Sequence, residues 1–116
     1  MRIVPMTQKA YEALLELKKI TGQYEYIITS SKGRRIRPSR LGQTFSLILS
    51  AIRMKRVGLH TLRHTFATML FNNGCDVKIV SELLGHSNTK ITENIYIHVI
   101  QQQRVKAIKS IDQYSD

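Results

Sequence analysis

The chain has 116 residues, 42% of them hydrophobic, one cysteine and a formal net charge of +10. This length allows one domain at most, and the sequence has no apolar run of about 18 residues that could cross a membrane. The lone cysteine excludes an internal disulfide framework and fits a reducing compartment, so we expect a cytoplasmic protein.

The first half of the chain is predicted to contain two helices and a few short strands. Thr7 is the expected N-cap of the first helix, and Gly22 is expected to end it. Pro38 and Ser39 open the second helix, whose apolar residues recur at helical spacing. The predicted elements are a strand end at 2–6, a helix at 8–21, a β-like run at 26–29, a second short strand at 34–37 and a helix at 39–54.

The second half is predicted to be helical throughout, which makes the fold class mainly α with a few short β-strands. Gly74 and Gly85 are expected helix stops, and Asp76 is the expected N-cap between them. The helices are predicted at 61–73, between Asp76 and Gly85, at 90–98 and at 101–112. The first of these is expected to direct one apolar stripe inward, formed by Leu62, Phe66, Met69 and Leu70.

The positive charge is concentrated in one segment. No acidic residue lies between Glu25 and Asp76, whereas residues 76–116 hold five basic and five acidic side chains. A long acid-free basic segment indicates a polyanionic partner such as double-stranded DNA. A solvated basic loop is the alternative, but it gives no reason for the absence of acids. The candidate DNA-binding residues are Lys32, Arg34, Arg35, Arg37, Arg40, Arg53, Lys55 and Arg56.

Four residues of the second half combine phosphate ligands with an oxygen nucleophile. His60, Arg63, His86 and Tyr96 are separated by 3, 23 and 10 residues. Arg63 can hold two phosphate oxygens through its planar guanidinium, and His60 shares its helix face. His86 follows a glycine that ends a helix and therefore projects from a sharp turn. The set predicts attack of a tyrosine oxygen on a phosphodiester.

Each of the four residues also has a purely structural interpretation. Arg63 alone would cap a neighbouring carbonyl, with His60 a polar residue at the end of a loop. His86 alone would interact with the C-terminus of its own helix. Tyr96 alone would be a core tyrosine with its hydroxyl at the surface. Only the ordered combination favours the chemical interpretation.

A metal site is a weaker interpretation. His60 and His64 have the i, i+4 spacing of a zinc-binding pair, but Arg63 lies between them and no carboxylate cluster accompanies them. Cys75 is interpreted as a loop residue rather than as a catalytic thiol. We therefore predict no metal and no cofactor.

Three ordered segments resemble the boxes of the tyrosine recombinases, the phage-integrase family. They match its His-x-x-Arg box, its Leu-Leu-Gly-His box and its nucleophile segment, and a fourth segment resembles the strand end after the family's β-hairpin. Many members place the tyrosine one residue closer to the second histidine. The segments are, in the same order, Leu59–Thr68, Val80–Ser87, Thr92–Val99 and Arg2–Met6.

The resemblance implies a DNA breaking–rejoining fold and site-specific recombination or integration for a mobile element. Tyr96 would attack the scissile phosphate to form a 3′-phosphotyrosyl bond and free a 5′-hydroxyl. Arg63, His60 and His86 would stabilise charge on the non-bridging oxygens, and His60 is also a candidate acceptor of the tyrosine proton. The family further implies a homotetramer on DNA in a bacterial, nucleoid-associated setting, without ATP or metal.

The resemblance also identifies residues 1–116 as the C-terminal part of a recombinase catalytic domain. The upstream arginine helix and the hairpin lysine of the family are absent from the chain. The 116-residue chain by itself is therefore expected to cleave DNA poorly. Two rival interpretations are a non-catalytic DNA-binding remnant of an integrase and an unrelated helical RNA-binding domain, which would not need the ordered His, Arg, His, Tyr set.

Overall fold

The computed structural model describes residues 3–114 and contains five helices in that range. The mainly α class predicted from the sequence is confirmed. The chain divides into two compact units, Met1–Gly58 and Leu59–Asp116. Among residues 3–114, no helix is both long enough and apolar enough to cross a membrane. The helices are α1 (Gln8–Thr21), α2 (Pro38–Ala51), α3 (His60–Asn72), α4 (Val77–Leu84) and α5 (Lys90–Asp112).

Residues next to each helix start explain where the two helices of the N-terminal unit begin. The Thr7 side chain accepts a hydrogen bond from the backbone N–H of Ala10, so α1 starts at the predicted N-cap. Pro38 occupies the first turn of α2, where its missing N–H has no cost. The second helix ends at Ala51 rather than at the predicted residue 54, because Arg53 adopts a left-handed φ of 56° that ends the helical path.

The strands predicted in this unit are largely wrong. Within residues 3–114, the runs at 26–29 and 34–37 contribute only one antiparallel bridge, between Thr29 and Arg35. Gly33, with φ of 74°, makes the turn between them and donates its N–H to the Ser30 carbonyl at 2.9 Å. Residues 3–6 of the predicted strand end form no strand, and Arg2 lies outside the described residues. A β-like run becomes a strand only when it has a partner along several residues.

In the C-terminal unit, α3, α4 and α5 pack against one another around one small core. The connections match the sequence predictions. Gly74 turns the chain after α3 with φ of 82°, and the Asp76 carboxylate accepts the N–H of Lys78 at 2.7 Å to cap α4. The buried core residues are Ala67, Phe71, Val80, Leu84 and Val99.

Two predictions for this unit are wrong. The helices expected at 90–98 and 101–112 form one continuous α5, because no glycine or proline interrupts this segment. In the middle of α5, the Gln103 side chain also bonds Asn72 at the end of α3 at 3.0 Å. The stripe predicted to face inward on α3 is mostly exposed, and α3 buries Ala67 and Phe71 instead. The exposed members of that stripe are Leu62, Phe66 and Met69.

Candidate functional site

The first turn of α3 carries two of the four candidate catalytic residues. His60 is the first residue of the helix, and Arg63 lies one turn further on. Residues three apart on a helix are neighbours on its surface, so the two side chains share one face. Both residues are solvent-exposed, which leaves them accessible to an anionic ligand.

The end of α4 explains how His86 is presented. Gly85 adopts a left-handed φ of 72° and donates its N–H to the carbonyl of Glu82 at 3.1 Å. The N–H of His86 reaches back to the carbonyl of Ser81, also at 3.1 Å. This pair of bonds is the Schellman motif, which satisfies two of the last carbonyls of a helix. It leaves the carbonyl of Leu84 without a partner from α4.

Arg63 supplies that missing partner. Its guanidinium donates a hydrogen bond to the carbonyl of Leu84, a buried residue. The negative end of the α4 dipole favours a cation at this place. The contact is the one expected if Arg63 caps a neighbouring carbonyl. A guanidinium has five N–H donors, however, and no carboxylate within residues 3–114 forms an ion pair with Arg63. The remaining donors are therefore available to a phosphate, and the carbonyl contact fixes where they lie.

The imidazole of His86 is held by α5. Its Nδ1 lies 2.6 Å from Oγ1 of Thr92, and Thr92 is fully buried with 0% exposure. Burial lowers the pKa of His86 below 6.5, and the nearby positive charge of Arg63 lowers it further. His86 is therefore a neutral hydrogen-bonding group near pH 7, and Arg63 is the formal positive charge beside it. The side chain does not interact with the end of its own helix, since only its backbone N–H does so.

We expect acidification to destabilise the protein partly through His86. Because the pKa of His86 is lower in the folded chain than in the unfolded chain, the unfolded chain takes up this proton first as the pH falls. The His86 contribution to stability is fully present above about pH 6.5 and decreases below it. Thermal unfolding at about pH 7.5 and 5.5 should show a larger drop in Tm for wild type than for His86→Asn. The same change at exposed His98 is the control and should keep the wild-type drop. Equal drops for wild type and His86→Asn would contradict the assignment.

Tyr96 packs against α3 through its ring. It is 38% exposed and sits one helical turn after Thr92 on α5. The edge of its ring packs on Phe71, with ring centroids 5.2 Å apart and planes at 63°. Phe71 lies eight residues beyond Arg63, or about 12 Å along α3. No hydrogen bond within the described residues joins the Tyr96 hydroxyl to His60, Arg63 or His86. This packing fits the alternative interpretation of Tyr96 as a tyrosine whose ring supports the core.

The eight candidate DNA-binding residues all belong to the N-terminal unit and are all exposed. Over the part of the chain that the structure describes, none of them forms an ion pair with an acidic side chain. Five precede α2 or lie in its first turn, and three follow its end. The helix between the two groups has 14 residues and is about 21 Å long. The basic side chains are therefore free to contact phosphates at both ends of α2.

Sequence reasoning missed two parts of this site. Thr92 was not singled out, although its position four residues before Tyr96 was a usable signal for a side chain on the same face of α5. The carbonyl of Leu84 gives no signal in a sequence. For a metal, the structure offers no group of three His, Cys, Asp or Glu residues among residues 3–114, and His60 and His64 have no third ligand there.

Comparison with known proteins decides the family. A model of the phage integrase family matches residues 1–103. The chain belongs to the phage integrase family. The chain is 44% identical over 87 residues to a tyrosine recombinase XerC-like protein of Caldanaerobacter subterraneus, a match that covers 75% of the chain and 22% of that protein. The chain is 34% identical over 113 residues to tyrosine recombinase XerD of Chlamydia trachomatis, covering 90% and 37%. It is 40% identical over 110 residues to tyrosine recombinase XerC of Chlorobaculum tepidum, covering 84% and 32%.

Membership of the phage integrase family confirms the resemblance drawn from the three sequence segments. The mainly helical fold of the described residues agrees with a piece of that family's domain. The chain spans only 22% to 37% of the length of the first two of these relatives.

Proposed function

We propose that this chain takes part in site-specific DNA recombination or integration, by DNA strand cleavage and rejoining through a 3′-phosphotyrosyl intermediate at Tyr96. The observation that supports this most is the arrangement at the end of α4. Arg63 is anchored on the carbonyl of Leu84, next to His86, and His86 is held by the helix that carries Tyr96. The names of the three relatives, all tyrosine recombinases, point to the same chemistry.

The proposed role of Arg63, His60 and His86 is to bind the scissile phosphate more strongly as negative charge grows on its non-bridging oxygens. Donors fixed in position before the reaction stabilise such charge without reorganisation. Arg63 supplies the positive charge and at least two further N–H donors. His86 supplies a neutral donor from the opposite side of its ring to Thr92, and His60 adds a donor from the same face of α3 as Arg63.

Tyr96 is the proposed nucleophile. Its phenolic oxygen forms the bond to phosphorus while the 5′-oxygen leaves, and the phenolic proton passes to a base for which His60 is the candidate. Attack by a 5′-hydroxyl reverses these steps and releases Tyr96, so the bond energy is kept in the covalent intermediate.

We propose that upstream residues of the recombinase and other protomers supply the remaining parts of the reaction. We propose that residues 1–116 form the C-terminal part of the catalytic domain. An upstream arginine would add a phosphate ligand, and a hairpin lysine would protonate the leaving 5′-oxygen. Assembly as a homotetramer on double-stranded DNA and a cytoplasmic, nucleoid-associated location are part of the same proposal, which includes no metal or nucleotide cofactor.

A second candidate function is that of a non-catalytic DNA-binding remnant of an integrase. The packing of the Tyr96 ring on Phe71, with no hydrogen bond from its hydroxyl to Arg63, His60 or His86 among residues 3–114, favours it. Both functions predict DNA binding, so only covalent chemistry discriminates between them. The deciding experiment incubates the full-length recombinase that contains these residues with DNA nicked next to the scissile phosphate. A covalent protein–DNA band on a denaturing gel supports the first function, and its absence with intact DNA binding supports the second.

We expect the chain to bind duplex DNA in a strongly salt-dependent way. Non-specific binding of this kind has a Kd of about 10⁻⁴–10⁻⁶ M at physiological salt, and each phosphate contact contributes about 0.9 to the slope of log K against log salt. Removing three exposed basic side chains around α2 should lower that slope by up to about 2.7. An anisotropy titration between about 50 and 200 mM salt measures it. The substitutions are Arg34→Gln, Arg40→Gln and Arg56→Gln.

A matched control removes three positive charges from residues 76–116, the segment in which basic and acidic side chains are equal in number. If the basic segment is the DNA-binding surface, this control changes the salt slope much less than the variant around α2 does. Equal changes for both variants would show that only net charge matters and would refute the assignment of the eight residues. The control substitutions, all at exposed positions of α5, are Arg104→Gln, Lys106→Gln and Lys109→Gln.

A further inference from the structure

A part-buried hydrogen bond in the C-terminal unit joins the side chains of Thr92 and His86. Thr92 lies in the first turn of α5 and is fully buried, and its hydroxyl is 2.6 Å from Nδ1 of the imidazole. Of residues 3–114, His86 is the only hydrogen-bond partner of this hydroxyl. The carbonyl four residues earlier in the chain, that of Asn88, accepts a hydrogen bond from Ser81 Oγ instead.

The proton in this contact can be assigned by counting donors and acceptors. If Nδ1–H donated to Thr92, the hydroxyl proton of Thr92 would be buried without an acceptor. If Thr92 donates to an unprotonated Nδ1, both groups are satisfied. Buried polar groups in folded proteins are almost always satisfied, because an unmade hydrogen bond is costly there. The second arrangement places the single proton of the neutral imidazole on Nε2.

We propose that Thr92 is a positioning residue that fixes His86 in the tautomer with its proton on Nε2. The two ring nitrogens lie on opposite sides of the imidazole, so an anchored Nδ1 turns the Nε2–H away from the core. That N–H is then a fixed donor to the scissile phosphate, a consequence that rests on the proposed function. The same hydrogen bond ties the turn after α4 to the helix that carries Tyr96.

The tautomer is measured on the 116-residue chain without DNA, by NMR of protein labelled with ¹⁵N at its four histidines. Long-range ¹⁵N–¹H correlations distinguish a protonated from an unprotonated ring nitrogen, and His86→Gln identifies the signals of this residue by their loss. We expect a protonated Nε2 and an unprotonated Nδ1 for His86 near pH 7.5. A protonated Nδ1, or equal populations of both tautomers, would overturn the proposal. This result requires no substitution at Thr92 and no catalytic activity.

Two substitutions of Thr92 distinguish the effect of its hydroxyl group from the effect of its side-chain shape. Thr92→Val keeps the branched shape and removes the donor, whereas Thr92→Ser keeps the donor. We expect Thr92→Val to shift His86 towards a mixture of tautomers and Thr92→Ser to preserve the wild-type spectrum. An unchanged tautomer in folded Thr92→Val would overturn the proposal. If Thr92→Val does not fold, the wild-type spectrum still decides which nitrogen is protonated.

The effect on cleavage is measured separately in the full-length recombinase with nicked DNA. Thr92→Val is expected to slow adduct formation at saturating DNA by about 10- to 10²-fold, the range that a misplaced catalytic group produces, with DNA affinity unchanged. Thr92→Ser is expected to restore most of the rate. A wild-type protein that forms no adduct would refute the proposed function, but the tautomer result would stand. A Thr92→Val variant that forms the adduct at the wild-type rate would show that the contact is only structural.

Discussion

Tyr96→Phe is expected to abolish the covalent protein–DNA adduct and to leave DNA binding nearly unchanged. The substitution removes only the phenolic oxygen, which is the atom that would bond to phosphorus. It keeps the ring that packs on Phe71, so the contact between α5 and α3 should survive. The hydroxyl has no hydrogen bond to another described residue, so its loss leaves no group unpaired in that part of the protein. The measurement uses the full-length recombinase, nicked DNA and a denaturing gel, with anisotropy to monitor binding.

Tyr114→Phe is the matched control for this experiment. Tyr114 follows the end of α5 and is 79% exposed, so removing its hydroxyl should leave both the adduct and the binding unchanged. If the adduct persists in Tyr96→Phe and disappears in Tyr114→Phe, the nucleophile has been assigned to the wrong tyrosine. If Tyr96→Phe loses the adduct together with DNA binding, the hydroxyl is needed for binding or folding, and the loss of the adduct would not identify it as the nucleophile.

The helix boundaries that depend on neighbouring residues could be predicted from the sequence. Thr7 and Asp76 cap helices, and Gly74 and Gly85 end them with positive φ, as expected. Each of these outcomes follows from the chemistry of a side chain and the backbone within a few residues of it. The end of α2 was misplaced because Arg53 takes a left-handed conformation that is uncommon for a residue other than glycine.

The errors concern contacts between residues that are distant in the sequence. Among residues 3–114, the β-like runs around Thr29 and Arg35 pair with each other at one bridge and have no other strand partner, which propensity alone cannot reveal. The inward face of α3 was misassigned because helical periodicity gives several apolar stripes, and packing by α4 and α5 selects the one with Ala67 and Phe71. The break predicted in α5 had no glycine or proline to produce it.

The residues of the candidate site could be predicted from the sequence, but the contacts between them could not. The order of His60, Arg63, His86 and Tyr96 in the sequence was sufficient to predict the family, which the comparisons confirm. The contact of Arg63 with the Leu84 carbonyl joins residues 21 positions apart and could not be predicted. It shows that the structural and the chemical interpretation of Arg63 are compatible, since one donor anchors the group that presents the others. The four assigned catalytic roles remain predictions.

Arg63→Ala is expected to have the second largest effect, and the effect has two parts. Loss of a fixed charged donor should slow adduct formation by at least about 10²–10³-fold at saturating DNA. The substitution also removes the hydrogen bond from a charged donor to the part-buried carbonyl of Leu84, which costs at most about 1.5–3 kcal/mol of stability. The first part is measured as the rate of adduct formation in the full-length recombinase. The second part is measured by urea unfolding of the 116-residue chain.

Arg63→Lys distinguishes the effect on cleavage from the effect on stability. An ammonium group can donate to the Leu84 carbonyl, so we expect it to recover much of the stability lost in Arg63→Ala. It cannot reproduce the planar fork that holds two phosphate oxygens, so we expect cleavage to remain far below wild type. Arg104→Ala, at an exposed position of α5, is the control and should change neither quantity. Wild-type cleavage by Arg63→Lys would show that a single positive charge is sufficient at the phosphate and would contradict the bidentate role assigned to Arg63.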